Sequence, residues 1–260
     1  MRLAICQPTY LPWLGYFDLM DQVDTFVFLD TVQFEKQSWQ QRNRIKTPSG
    51  LQWITVPIIF RGRFGQSIQE VEIRNTDFVR IHLRAIELNY SRSSCFKDVF
   101  AGLSTILKSV KPGSQLAEFN IRLIQWAMEL LGIRQNLVLA SSLKPAGRRT
   151  ELLANICRSL GASEYVSPVG SAEYLLSDLS VMTDANIQTT FHHYIHPEYE
   201  QRFPPFLPFA SVVDLLFNEG ERAMEIIRSG RRTRLKPDEL PRSVQQSNEG
   251  SPKTCKSVTG

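Results

Sequence analysis

Hydrophobic and polar positions along this chain switch between two periods. Leu3, Ala4 and Ile5 run unbroken towards Gln7-Pro8, the pattern of a strand buried on both faces and stopped by a proline. Leu14, Phe17, Leu19 and Met20 then recur at helical spacing, and residues 25–30 (TFVFLD) read as a second buried strand ending in a carboxylate. Strand, loop, helix and strand fit within about thirty residues, the length of one βαβ unit. Residues 52–57 and 67–73 carry strand patterns joined by the loop RGRFG (61–65), which predicts an antiparallel excursion around 52–73. Helical periodicity follows over 77–90, 96–108 and 116–131, the last ended by Gly132. A strand at 136–140, a helix at 151–160 and a strand at 164–168 suggest a second βαβ-like unit. A strand at 187–193, a Pro- and aromatic-rich loop, and helices at 212–217 and 221–228 complete the pattern.

The predicted class is therefore α/β, a mainly parallel sheet flanked by helices, with a β excursion around 52–73 and an additional helical part. A single domain is expected over residues 1–230. Beyond it the chain turns to Arg, Lys, Ser, Pro, Gln and Gly, so 231–260 is expected to be a disordered basic and polar tail. Charge sharpens this division. The formal net charge is +4, and from Arg231 onward there are seven Lys/Arg against three Asp/Glu, leaving 23 of each sign in residues 1–230. A neutral body argues against nucleic acid as the main partner. No apolar run approaches the length of a membrane span, and the N-terminus has no signal-peptide core. The four cysteines (Cys6, Cys95, Cys157, Cys255) form no CxxC pair, and Cys6 and Cys157 read as core thiols. A cytoplasmic protein is expected.

In open α/β sheets ligands bind beyond the carboxyl ends of the strands, and Gln7 and Asp30 both stand at such ends. Between Gln7 and Trp13 two prolines stiffen a loop that carries Tyr10 and Trp13, a platform suited to stacking on a ligand. Lys36, Trp39, Arg42, Asn43, Arg44 and Lys46 cluster soon after Asp30, a composition suited to a phosphate or carboxylate. His192, His193 and His196 precede Tyr199. In a strand His192 and His193 point to opposite faces, so at most one of them shares a pocket with His196. A single histidine acting as general base is the reading taken from them, and their spacing matches no zinc motif. Asp214 and Asn218 share a helix face and need partners, internal or from a ligand. Walker, GxGxxG and GxSxG motifs are absent, and no metal or cofactor is called for.

The runs QPTYLPWLGYFDLM and FVFLDTVQFEKQSWQQRNRIK, with HPEY and VVDLLFNEG further on, resemble the WbqC-like protein family over roughly residues 3–222. Its signature positions map onto Gln7, Pro8, Tyr10, Pro12, Trp13, Gly15, Asp30, Gln33, Lys36, Trp39, Arg42, Asn43, His196, Pro197, Tyr199, Asp214 and Asn218. Departures from the family pattern fall at Ile81-His82, at Ser94-Cys95 and at Leu152. The resemblance implies a bacterial or archaeal protein that tailors a surface-polysaccharide or metabolite sugar, by acyl or glycyl-type aminoacyl transfer to an aminosugar, nucleotide-linked in the fullest form of this reading. Small-molecule partners follow: a nucleotide sugar and an acyl or aminoacyl donor. His196 or His193 would act as base with Asp30 orienting it, Tyr10 and Trp13 would stack on sugar or base, and Lys36 and Arg42 would face the phosphates, with Lys46 a further candidate. One alternative is a non-catalytic sugar-nucleotide-binding or scaffold protein. Another is a nucleotidylyltransferase, because the strand–loop–Gly–helix order is similar, although Trp13-Leu14-Gly15-Tyr16 lacks both histidines of the HxGH motif.

Overall fold

The computed structural model describes residues 1–240. The continuous apolar runs become strands buried on both faces. In β1 (Arg2–Cys6) every residue after Arg2 is buried, and β2 (Thr25–Phe28) is buried throughout, as central parallel strands are. Between them runs α1 (Leu14–Asp21), with Asp18 fully buried within it. Residues 31–135 then leave the sheet. They contain a hairpin, β3 (Arg42–Thr47) and β4 (Gly50–Thr55), and three helices, α2 (Asp77–Tyr90), α3 (Phe96–Lys108) and α4 (Leu116–Leu131). The chain returns as β5 (Asn136–Leu139), α5 (Ala140–Leu143), α6 (Arg149–Ser159) and β6 (Glu164–Ser167). After α7 (Ala172–Ser177) and α8 (Leu179–Asp184) comes β7 (Gln188–Phe191), then α9 (Val212–Glu219) and α10 (Ala223–Ser229).

The five-stranded sheet has the order β5-β2-β1-β6-β7, and every pairing in it is parallel. The chain builds outward from β1 through β2 to β5, then crosses to the other side of β1 for β6 and β7. The order therefore reverses between β1 and β6, the place where open α/β sheets form their ligand crevice. The β1–β6 ladder is the shortest in the sheet, with two pairs near the amino ends (Arg2 with Glu164, Leu3 with Tyr165), against four in each other ladder. Sequence periodicity alone suggested that β5, α6 and β6 form a unit of neighbouring strands. In fact β2 and β1 lie between β5 and β6.

The antiparallel excursion lies at 42–55, earlier than the pattern predicted. The partner of 50–55 is Arg42–Thr47, because Thr47-Pro48-Ser49-Gly50 closes a tight turn: Thr47 Oγ1 donates to the Gly50 carbonyl and Gly50 adopts a φ of +109°. A strand with one polar face was hidden in the run of long polar side chains: Asn43 and Ile45 are buried while Arg42 and Arg44 on the other face remain partly open. Residues 67–73 instead carry a 3-10 turn at Ile68–Glu70 and an isolated bridge from Ile73 to Ile58.

The described part of the expected tail, 231–240, is held against the domain. Leu235 exchanges backbone hydrogen bonds with Phe191 at the edge of the sheet, Arg232 N–H donates to the His193 carbonyl, and Arg234 pairs with Glu164. Polar composition concealed this because the segment is held by edge pairing and ion pairs, with Leu240 as its buried apolar residue. The remainder of the expected tail, 241–260, lies outside the described residues, and so does Cys255. Cys6 and Cys157 are buried and in no disulfide among the described residues, and burial pushes the Cys157 thiol up to about 12. Among the described residues no helix is long and apolar enough to cross a membrane.

Candidate functional site

The loop that leaves β1 is fixed by side chains of the insertion. Asn120 on α4 donates from Nδ2 to the carbonyls of Pro8 and Gln40, and Asn43 on β3 donates to those of Tyr10 and Leu11. Gln40 Nε2 donates to Gln7 Oε1 at 2.8 Å. Asn43 is thus a clamp on the loop. Tyr10 is fully buried, its ring stacked on Phe119 and its hydroxyl 2.9 Å from His82 Nδ1. It offers no face for stacking on a ligand, which corrects the expectation drawn from its place between two prolines. Burial holds His82 down at about 4, against a smaller upward pull from the Thr55 backbone. Below about pH 6.5 the unfolded chain therefore takes up a proton that the folded state refuses. Stability should fall by about 3 kcal/mol from this group as pH drops from about 6.5 to about 4. Urea denaturation across that range should be shallower in pH for His82→Asn than for the parent.

Trp13, by contrast, stays partly open. A Cβ on Gly15 would lie 2.3 Å from Trp13 Cη2, so the ring occupies the space that only glycine leaves. Gly15→Ala should displace the indole, cost about 1–3 kcal/mol by overpacking, and shift the Trp13 indole N–H resonance in NMR spectra.

The histidines separate into distinct environments. His192 leaves the end of β7, its backbone N–H on the Ser167 carbonyl, and its Nε2 lies 2.7 Å from Asp18 Oδ2. Asp18 also accepts from Gln22 Nε2 at 2.7 Å and from Arg231 Nε at 2.8 Å. Asp18 serves these donors as an acceptor, and its contact with the ring is completed when His192 Nε2 carries the hydrogen. Nδ1 then presents a lone pair, and it has no hydrogen-bond partner among the described residues. The His192 side chain keeps 7% of its surface open. His193 is half-buried and makes no side-chain hydrogen bond among the described residues. The carboxylate-supported histidine of the pair is the other one. His196 donates from Nδ1 to the Pro197 carbonyl at 2.9 Å, which leaves its Nε2 unprotonated, buried and without a partner. Its ring stands among Trp13, Tyr199, Phe206 and Phe209. Burial pulls its pKa below the ordinary histidine value, against the Pro197 carbonyl.

Asp30 lies away from these histidines in the bonding pattern. Its carboxylate accepts from Ser141 N–H at 2.9 Å and Ser141 Oγ at 2.6 Å, so it fixes the start of α5 beside β5 and orients no histidine. Asp214, fully buried on α9, accepts from Tyr90, Tyr199 and Gln201, and burial raises its pKa despite those donors. Tyr199 and Asp214 are thereby occupied within the core. Asn218 ties α9 to the segment after α2, accepting from Ser93 Oγ and donating to the Asp214 carbonyl. Lys46 is buried and donates from Nζ to the Pro205 carbonyl at 2.8 Å. Exposed Lys36 rests its ammonium over Phe60. Neither lysine joins the arginines.

What the fold does bring together is a continuous strip. The His192 ring stacks on Tyr194, Tyr194 meets Trp13 edge-on, and Trp13 stacks on His196 and leans on Phe209. Arg44 donates to the Phe209 carbonyl and lies over Trp39 and Trp53, while Arg42 lies over Trp53. Along this strip Tyr194 OH, Trp13 Nε1, His196 Nε2, Arg44 Nε and Arg42 Nε are all buried without a hydrogen-bond partner. Buried polar atoms are normally satisfied, and five of the ten unpartnered ones found among the described residues fall in this strip, which makes it the candidate site. Trp13, Trp39, Arg42, Arg44 and His196 were legible in sequence as candidates. Asp18, Tyr194 and Trp53 were not, and His192 was set behind its neighbour His193; Gln7 is held by Gln40. A signal for Asp18 was available: a carboxylate on the apolar face of α1 requires a buried partner. Among the described residues no group of three or more His, Cys, Asp or Glu could hold a metal ion.

The family model described as "WbqC-like protein family" matches residues 7–226 of the chain. A relative from Mycobacterium tuberculosis, "Uncharacterized protein Rv1507c", is 40% identical over 228 residues, covering 87% of this chain and 97% of the relative. No solved structure matches.

Proposed function

The chain therefore belongs to the WbqC-like protein family, and from that premise we propose that it is a group-transfer enzyme. It moves an acyl or aminoacyl group onto the amine of a sugar acceptor, in the tailoring of a surface polysaccharide or metabolite. The observation that carries this reading is the Asp18–His192 pair at the carboxyl end of β7, one strand removed from the reversal of strand order. A histidine whose one nitrogen is fixed on a buried carboxylate presents the other as an oriented general base. His192 Nδ1 takes the proton from the acceptor amine as its nitrogen bonds to the acyl carbon. The bond from that carbon to the leaving group breaks, and the imidazolium, supported by Asp18, returns the proton to the leaving group. Gln7 and Trp13 supply an amide and an aromatic wall for the sugar, and His196 Nε2 can accept a hydroxyl hydrogen bond.

The experiment is incubation of the protein with aminosugars, free and nucleotide-linked, and with acyl and aminoacyl donors, products being read by mass spectrometry. Transfer product from the parent supports the reading. A second reading, a non-catalytic sugar-binding protein, draws on the burial of His196 Nε2 and Trp13 Nε1. Thermal stabilisation by an aminosugar without turnover of any donor would favour it.

A further inference from the structure

Arg42 and Arg44 are adjacent on one face of β3, with Trp53 of β4 directly across from Arg44. The Arg42 guanidinium lies 4.3 Å from the Trp53 ring centroid, and that of Arg44 lies 5.3 Å from Trp39 and 5.4 Å from Trp53. Trp53 is 42% exposed. Arginine resting on indole is ordinary by itself. Three features here are not. Neither guanidinium forms an ion pair among the described residues, although eight arginine–carboxylate pairs occur elsewhere in them. The Nε of each is buried and unpartnered. Among the described residues the only hydrogen bond from either side chain is Arg44 to the Phe209 carbonyl, which joins the pair to the Trp13–His196 wall. Burial without an anion partner also lowers the pKa of Arg44.

We propose that this face of the β3–β4 hairpin is an oxyanion subsite, in which Arg42 and Arg44 hold the phosphate or diphosphate of a phosphorylated substrate. Their stems leave the strand about 6.6 Å apart, two strand rises, and two planar forks side by side suit several phosphoryl oxygens better than one carboxylate. The indoles splint the guanidiniums, so little side-chain freedom is lost on binding. The anion would sit next to the aromatic wall, its sugar reaching towards His192. This deepens the transfer reading and rests on it only for what the bound group serves.

The test is isothermal titration calorimetry of the full chain with pyrophosphate, inorganic phosphate, acetate and uridine, at low and high salt. Pyrophosphate should bind most tightly, more weakly at high salt, and at least about tenfold more weakly in Arg42→Met and in Arg44→Met. Arg42→Lys, which keeps the charge and loses the fork, should fall between. Thermal midpoints near that of the parent confirm that the variants fold, and if Arg44→Met does not, the Arg42 pair decides. Absence of pyrophosphate binding by the parent overturns the proposal, as does equal binding by Arg42→Met. Acetate binding as tightly as pyrophosphate would overturn the phosphoryl assignment. Pyrophosphate binding without any transfer activity would defeat the transfer reading and leave this one standing. Transfer by both methionine variants with unchanged KM would do the reverse.

Discussion

His192→Gln should lower kcat for transfer by about a hundred- to ten-thousand-fold, the usual worth of a positioned general base, with KM little changed. Glutamine is the informative replacement because its amide nitrogen can take the place of Nε2 and keep the contact to Asp18. What it removes is the lone pair on the far side of the ring. Asp18→Asn should also depress kcat, because an amide in place of the carboxylate no longer fixes the tautomer. It should in addition destabilise the protein, since Arg231 and Gln22 lose a charged acceptor. A fall in KM-independent rate for His192→Gln at parental stability would separate chemistry from folding. Unchanged kcat in His192→Gln would remove His192 from the reaction and return the role to His196.

The largest stability effect should come from Asp214→Ala, at about 3–5 kcal/mol. The substitution leaves the hydroxyls of Tyr90 and Tyr199 and the amide of Gln201 as buried donors without their acceptor, and each such orphan costs about 1–3 kcal/mol before relaxation. Tyr90 also accepts from the Lys46 backbone N–H, so the loss spreads from α9 into β3. Chemical denaturation should report it directly, with a drop of about 10 °C in thermal midpoint for a domain of this size. Tyr199→Phe, which removes one donor and leaves Asp214 two others, should cost only about 1 kcal/mol. Equal losses in the two variants would show that the carboxylate is not the centre of the network.

The parallel sheet was legible because buried parallel strands leave runs such as Leu3–Ile5 and Phe26–Leu29 that no helix face interrupts. Strand order was not, because it depends on which side of β1 the chain returns to, and no local pattern in β6 encodes that. The hairpin was misplaced for a related reason: Arg42–Thr47 has a polar outer face, and its strand character shows only in the alternation of Asn43 and Ile45 with the arginines. Among site residues, side-chain type pointed to polar and aromatic groups at strand ends, but not to which were already paired. Asp30 is taken by Ser141, Tyr10 by His82, and Asp214 by Tyr90, contacts spanning 72 to 124 residues of sequence. His192 was passed over for His193 because its partner, Asp18, lies 174 residues away on a helix that reads as apolar.

The most direct test of the account is a crystal structure of the protein with an aminosugar phosphate bound. The acceptor nitrogen should lie about 2.6–3.2 Å from His192 Nδ1, or be joined to it by one water, with the sugar against Trp13. A ligand bound elsewhere, or bound in the strip with its amine turned away from both His192 and His196, would contradict it.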